Sequence, residues 1–128
     1  STRGINRIAE RFIYAFHKSG LRPDMTPEEL SDLYDKGDEG AIAVWQEAGK
    51  WLGIGIASLV HIFMPELVLV GGGLSLAGDK LLSPAKETAC RYVAPNLRNR
   101  FQIVQAGLGS DSAIVGAASL GLGSSSLK

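Results

Sequence analysis

The sequence of 128 residues has one cysteine, no excess of either charge and no long apolar segment. Cys90 alone cannot form an internal disulfide or a thiolate metal cluster, and such sparse use of cysteine suits a reducing cytoplasm. Thirteen basic residues balance thirteen acidic ones, which argues against a surface for nucleic acid or anionic membrane. The longest apolar run, 51–64, has fourteen residues, whereas a membrane span needs about twenty. We therefore expect a soluble globular protein.

Helical patterns occupy the first half of the chain. The first segment repeats apolar residues at the spacing of one helical face: Ile5, Ile8, Ala9, Phe12, Ile13 and Phe16. A second helix is predicted to start at Thr26, since Pro27 suits a first helical position and Glu29 completes a capping box. Both acidic pairs, 28–29 and 38–39, fall at predicted helix starts, where the helix dipole favours negative charge. We identify no catalytic pair.

A third helix is predicted over roughly 39–64, with Asp38 as its cap and Pro65 at its end. Beyond Trp51 it is apolar on nearly all sides, which predicts that it lies inside the domain. Glycines in a helix cost up to about 1 kcal/mol each relative to alanine. Close packing against a sheet would explain why this helix contains three of them: Gly49, Gly53 and Gly55.

Two short apolar segments, 67–70 and 101–106, are predicted to be β-strands. The segments around them are an amphipathic stretch near 76–82, a helix from Ser83–Pro84 to before Pro95, and a last helix from Ser110 or Asp111 to about Leu122. Strands separated by helices favour parallel pairing. Two strands are too few to cover this much apolar helix. We therefore expect part of a larger α/β domain, whose apolar face favours association when isolated.

Three consecutive glycines, Gly71 to Gly73, follow the first predicted strand. They do not form a dinucleotide fingerprint, because its sixth position is Leu76, nor a Walker A loop, because Asp79 replaces the lysine. Glycines allow positive φ and leave a bare surface, which a flat ring or a phosphate can approach closely. The alternative is a tight turn without a ligand, and spacing alone leaves both interpretations open.

The segments "PELVLVGGGLS", 65–75, and "GSDSAIVGAA", 109–118, resemble the C-terminal part of the ROK family of repressors, open reading frames and sugar kinases. The resemblance covers residues 2–122. It implies an α/β fold, a partial ribonuclease H-like domain of the actin, Hsp70 and hexokinase ATPase type, helix-rich with a small parallel sheet. Residues 1–122 would form the C-terminal portion of that domain, and 123–128 a flexible tail.

In this family Gly71, Gly72 and Gly73 would line the adenosine of ATP. Ser75 would hydrogen-bond the nucleotide or cap the next turn. The family's phosphate loop, catalytic aspartate, zinc-binding histidine and cysteines, and sugar-contacting glutamate have no counterpart here. The resemblance therefore implies the C-terminal part of a glucokinase-type hexose kinase that uses ATP and Mg²⁺. A structural zinc site would lie upstream.

Two further expectations follow from the resemblance. The first is that this segment is inactive alone and contributes to a homo-oligomer, without membrane or nucleic-acid partners. The second is the alternative identity, the sugar-sensing domain of a ROK repressor, which would bind DNA through an upstream module.

Other residues with chemical potential are predicted to be structural. Asp111 is expected to be an N-cap rather than a metal ligand. Trp45 and Trp51 are expected to pack in the core or on their helix rather than stack on a base, and Cys90 to be half-buried. His17 and His61 are expected to be buried and hydrogen-bonded or at the surface, since neither has a metal-like partner four residues on.

Overall fold

The computed structural model describes residues 2–73 and 77–106. Their regular elements, in chain order, are α1 Thr2–Ala15, α2 Pro27–Asp35, α3 Glu39–Phe63, β1 Leu67–Val70, α4 Asp79–Tyr92, a short 3-10 helix Pro95–Leu97, and β2 Gln102–Gln105. The predicted last helix with Asp111, the tail 123–128 and Ser75 lie outside the described residues.

The predicted helix starts at Thr26 and Asp38 are confirmed. The Thr26 hydroxyl accepts a hydrogen bond from the Glu29 amide at 3.1 Å, and the Glu29 carboxylate accepts one from the Thr26 amide at 3.1 Å. The Asp38 carboxylate accepts a bond from the Ala41 amide at 3.0 Å. Each bond satisfies an amide that has no partner within its helix.

The two strands pair in parallel, as predicted, with Leu67 opposite Gln102 and Val70 opposite Gln105. Met64 ends α3 in a left-handed conformation, φ 48°. Pro65 follows directly and cannot continue the helix. The chain thus turns from the long helix into β1 within a few residues.

The predicted helix start at Ser83–Pro84 is wrong, although the helix ends before Pro95 as predicted. One helix, α4, begins at Asp79, and Pro84 lies inside it rather than at its start. A proline within a helix removes the hydrogen bond to the carbonyl four residues earlier. Here its ring packs onto Gly49 of α3, where a Cβ atom would overlap it. Contact with a distant helix therefore accommodates a residue that local rules place at a helix start.

The expected partner of the α3 glycines is also wrong, because Gly49 and Gly53 face α4 and not the sheet. A Cβ atom on Gly49 would lie 2.7 Å from the Leu81 carbonyl oxygen, and one on Gly53 would lie 2.5 Å from the Ala85 carbonyl oxygen. Real Cβ atoms do not approach carbonyl oxygens so closely. Gly55 points elsewhere, with no atom of the described segments within 4 Å of its Cβ position. Two of the three glycines thus allow the helices to touch.

The buried apolar residues form two clusters, and both include residues of α3 and α4. One joins α3, α4 and the sheet, with Val60, Val68 and Ile103 among its buried members. The other joins α1, α2 and α3 around Trp45, which is fully buried as predicted. The Trp45 indole nitrogen has no hydrogen-bond partner within 2–73 and 77–106.

Several large apolar side chains stay exposed: Tyr14, Trp51, Ile62, Phe63, Met64, Leu67, Tyr92 and Val104. Cys90 is exposed too, so the prediction that it is half-buried is wrong. Within the described ranges, no helix combines the length and apolar content that crossing a membrane requires.

Candidate functional site

The glycine bend begins where the two strands stop pairing. The Ala106 amide donates to the Val70 carbonyl oxygen at 2.9 Å, and Gly71 follows immediately. The bend therefore lies at the carboxyl ends of two parallel strands. In α/β folds this edge of the sheet is the usual place for a ligand.

The geometry of the bend explains only part of its glycine content. Gly72 has φ +94°, a conformation that residues with a side chain rarely adopt. Gly73 has no such φ, and a Cβ atom at either position would meet no described atom within 4 Å. Gly71, Gly72 and Gly73 are all exposed. A tight turn thus accounts for Gly72, whereas nothing in this part of the fold requires glycine at position 73.

A groove of about 700 Å³ opens beside the bend. Its walls come from α1, α3, the end of β1 and the first turn of α4: Gly4, Ile5, Arg7, Ile8, Ala48, Trp51, Leu52, Val70, Gly71 and Leu81. The lining is mostly apolar, and Arg7 is the charged residue among those named. Sites for small molecules typically measure roughly 300–1,000 Å³. The groove therefore has the size and character to accept a nucleoside.

Trp51 is the large aromatic side chain of this groove, and a hydrogen bond holds the nitrogen edge of its indole ring. The indole nitrogen donates to Glu47 Oε2 at 2.9 Å, and Arg11 donates to the same oxygen at 3.0 Å. Partial burial opposes ionisation of Glu47, but the hydrogen bonds from Trp51 and Arg11, with the nearby charges of Lys50 and Arg11, outweigh it and lower the pKa. The carboxylate is therefore ionised at neutral pH and fixes the indole.

Trp51 is where sequence reasoning missed a candidate. Its helical neighbours predicted packing in the core or on its own helix. Trp45 lies in the core, whereas Trp51 is 54% exposed and bonds to Glu47 of its own helix. The available signal was its position in register with Glu47, one turn earlier on α3. That spacing places the two side chains together but does not reveal that they border a groove.

The start of α4 indicates which part of a ligand the bend can accept. Gly78 caps this helix without a side-chain hydrogen bond, and Asp79 lies in the first turn. A carboxylate there uses the favourable end of the helix dipole and would repel a phosphate. The bend therefore suits an uncharged base or sugar better than a phosphate chain.

The remaining polar candidates do not form a second site. His61 is exposed and its Nε2 accepts a hydrogen bond from the Ala94 amide at 3.1 Å, while His17 is exposed. In the part of the chain that the structure describes, no three metal-ligating side chains lie together.

Another groove, of about 520 Å³, lies at the opposite end of the strands, between Glu66 and Arg100.

Comparison with known proteins decides the family. The model of the ROK family matches residues 1–123. The chain belongs to the ROK family. It is 34% identical over 117 residues to a glucokinase of Thermotoga maritima, an alignment that covers 91% of this chain and 36% of that protein. The chain thus spans about a third of the length of this relative.

A solved structure shows the same fold, and the relatives also include repressors. A ROK glucokinase of Streptomyces griseus, solved in complex with glucose and AMPPNP, superposes with a TM-score of 0.75 and 28% identity, over 94% of this chain and 42% of that one. The predicted fold class, a partial ribonuclease H-like domain of the actin-like ATPase type, is confirmed. A xylose repressor of Bacillus spizizenii is 24% identical over 84% of this chain and 30% of its own length.

Proposed function

We propose that this ROK chain is the nucleotide-binding C-terminal portion of a glucokinase-type sugar kinase. The full-length protein transfers the γ-phosphate of ATP to a hexose such as glucose. The observation that carries the proposal is Gly73: it is exposed, a Cβ atom there would meet no described atom within 4 Å, and its φ is not in the positive region that favours glycine. A ligand that lies against the main chain gives this position a reason to lack a side chain. The similarity to two glucokinases supports a nucleotide as that ligand.

The residues of the bend fit the adenosine end of ATP. Gly71 to Gly73 present bare main chain, and the adjoining groove is mostly apolar with room for a base and a ribose. Asp79 at the start of α4 turns the phosphates away from this end. When bound, Mg–ATP supplies the phosphoryl group and the cation that offsets its charge. Ser75 as a further nucleotide contact stays a prediction.

The other parts of the proposal concern the whole protein. Residues 1–122 belong to its C-terminal domain portion. The catalytic aspartate, the sugar-contacting glutamate and a structural zinc site lie upstream, so this segment alone transfers no phosphate. The exposed apolar side chains at the end of α3 and on the two strands are covered by the rest of the protein or by a second copy.

Phosphorylation of glucose by the full-length protein tests this function directly. Production of glucose 6-phosphate with ATP is the expected result, and it should be followed with a coupled dehydrogenase assay. Gly73→Val should raise the KM for ATP about tenfold or more while leaving the KM for glucose unchanged, because the new side chain occupies space at the nucleotide. Gly55→Val, an equally open glycine on α3, is the matched control and should change neither constant.

The rival function is that of a sugar-responsive repressor, which the similarity to xylose repressors supports. A repressor would bind operator DNA, release it with sugar and show no ATP-dependent phosphorylation. Absence of glucose phosphorylation together with sugar-sensitive DNA binding would therefore replace the first proposal with the second.

A further inference from the structure

We propose that Trp51 is a binding residue for the base of the nucleotide, on the groove wall formed by α1 and α3. This inference rests on the proposed function, because it assigns a second wall to the same nucleotide site. If the inference is right, Trp51 favours phosphoryl donors that carry an aromatic base, such as ATP, over donors that consist of phosphate alone.

The first argument is the position of Trp51. It lines the groove that also contains Gly71, so a base that lies against the glycine bend enters the space that the indole borders. The bend itself offers only main chain, which cannot enclose a flat ring from both sides. A binding groove with one bare wall needs an apolar surface on another wall, and within the described lining Trp51 is the aromatic side chain that provides it.

The second argument is that the indole is exposed yet held in place. A tryptophan that serves only to pack is buried, as Trp45 is, with none of its surface accessible. Trp51 leaves 54% of its surface accessible, while its ring nitrogen is bound to Glu47 and Glu47 is bound to Arg11. This chain of contacts restricts the ring before any ligand arrives. Less conformational freedom is then lost on binding.

The third argument is chemical. Stacking of a base on an aromatic side chain contributes roughly 1–3 kcal/mol, which corresponds to about a 5- to 150-fold change in affinity. Stacking requires a planar ring on the ligand but no particular hydrogen-bonding pattern. Trp51 should therefore strengthen the binding of ATP and contribute nothing to the binding of a polyphosphate.

The experiment compares the binding of ATP and of tripolyphosphate to the full-length protein and its variants by calorimetry. Trp51→Ala should weaken ATP binding about 5- to 150-fold, and Trp51→Leu, which keeps an apolar side chain without an aromatic face, should weaken it similarly. Trp51→Phe should retain most of the affinity. Any binding of tripolyphosphate should be the same in all variants. Tyr92→Ala, which removes an aromatic of similar exposure, 51%, outside the named lining of the groove, is the matched control and should bind ATP normally.

Fluorescence supplies an independent readout. Trp45 is fully buried, so a ligand in the groove cannot contact it. ATP should quench tryptophan emission of the wild-type protein, and this quenching should diminish in Trp51→Phe although that variant still binds ATP. Thermal unfolding of each variant shows whether a loss of binding merely reflects a loss of folded protein.

The outcomes separate the two proposals. If the wild-type protein binds ATP and the Trp51 variants bind it equally well, Trp51 is not a base contact, and the kinase proposal stands. If Trp51→Ala weakens ATP and tripolyphosphate to the same extent, the indole acts on the whole site and the inference is wrong. If the wild-type protein binds no ATP, the proposed function fails and this inference fails with it.

Discussion

At the crossing of α3 and α4, a Cβ atom on Gly53 would lie 2.5 Å from one carbonyl oxygen and 2.7 Å from the Thr88 Cβ. At the bend after β1, a Cβ atom on Gly73 would meet no described atom within 4 Å. Both residues are glycine, but contacts within residues 2–73 and 77–106 explain only the first. The comparison separates a glycine that serves the fold from one for which we propose a ligand.

The largest effect is expected at the crowded glycine. Gly53→Val should lower the free energy of unfolding by about 3 kcal/mol, because α3 and α4 must separate to admit the side chain. Gly55→Val, two residues away on the same helix, should not destabilise the protein. It should raise the free energy of unfolding by a few tenths of a kcal/mol through helix propensity. Urea unfolding of both variants measures the difference. Equal midpoints would show that the α3–α4 contact is looser than the structure has it.

A smaller loss of stability is expected when the hydrogen bonds between the start of α3 and the loop at Ser19 and Gly20 are removed. The Asp38 carboxylate accepts bonds from the Ser19 hydroxyl at 2.5 Å and the Gly20 amide at 2.6 Å, besides its capping bond to Ala41. Asp38→Ala should lower the free energy of unfolding by about 1–2 kcal/mol. The same loop crowds a second glycine, since a Cβ atom on Gly40 would overlap the side chains of Ser19 and Leu21. The Asp38 variant therefore tests a second region in which glycine serves the packing of the fold.

The same carboxylate predicts a dependence on pH. Partial burial opposes ionisation of Asp38, but hydrogen bonds from Ser19, Gly20, Ala41 and Gly40 outweigh it and lower the pKa. A group whose pKa is lowered by folding stabilises the protein above its unfolded pKa of about 3.9, and this contribution is lost as pH falls further. Stability measured from pH 6 downwards should therefore decline less in Asp38→Ala than in the wild type. If the stability of the wild type and of Asp38→Ala declined in parallel with pH, folding would not lower the pKa of Asp38.

At the bend itself, Gly72 and Gly73 should differ from each other. Gly72→Ala should cost about 1–2 kcal/mol of folding free energy, because φ is +94° there and a Cβ atom is strained in that region. A substitution at Gly72 that leaves the urea midpoint unchanged would mean that the bend adapts its backbone easily.

The smallest effect on stability belongs to Gly73→Ala, and it tests the comparison most directly. Because no described atom lies within 4 Å of the Cβ position and φ is not in the positive region, the free energy of unfolding should stay within about 0.5 kcal/mol of wild type. Affinity for ATP should nevertheless fall in the full-length protein. A variant that loses stability and keeps its affinity would return Gly73 to the class of structural glycines.

Much of the fold followed from patterns of a few residues. The caps at Thr26 and Asp38 and the end of α3 near Pro65 are local hydrogen-bonding and ring constraints, so neighbouring residues suffice to predict them. The parallel pair β1 and β2 followed from two apolar strands separated by helical sequence. The strand–glycine junction at Gly71 was visible for the same reason, since backbone freedom is a property of the residue itself.

What the sequence by itself determined is where α2 and α3 begin, that α3 ends before Pro65, and that glycines follow the first strand. Only the tertiary structure decided that Gly53 faces another helix, that Pro84 is accommodated within α4, and that Trp51 is exposed beside the bend. The physical reason is range. Capping and turn formation act within about one helical turn, whereas exposure of a side chain depends on elements that are distant in sequence and adjacent only after folding.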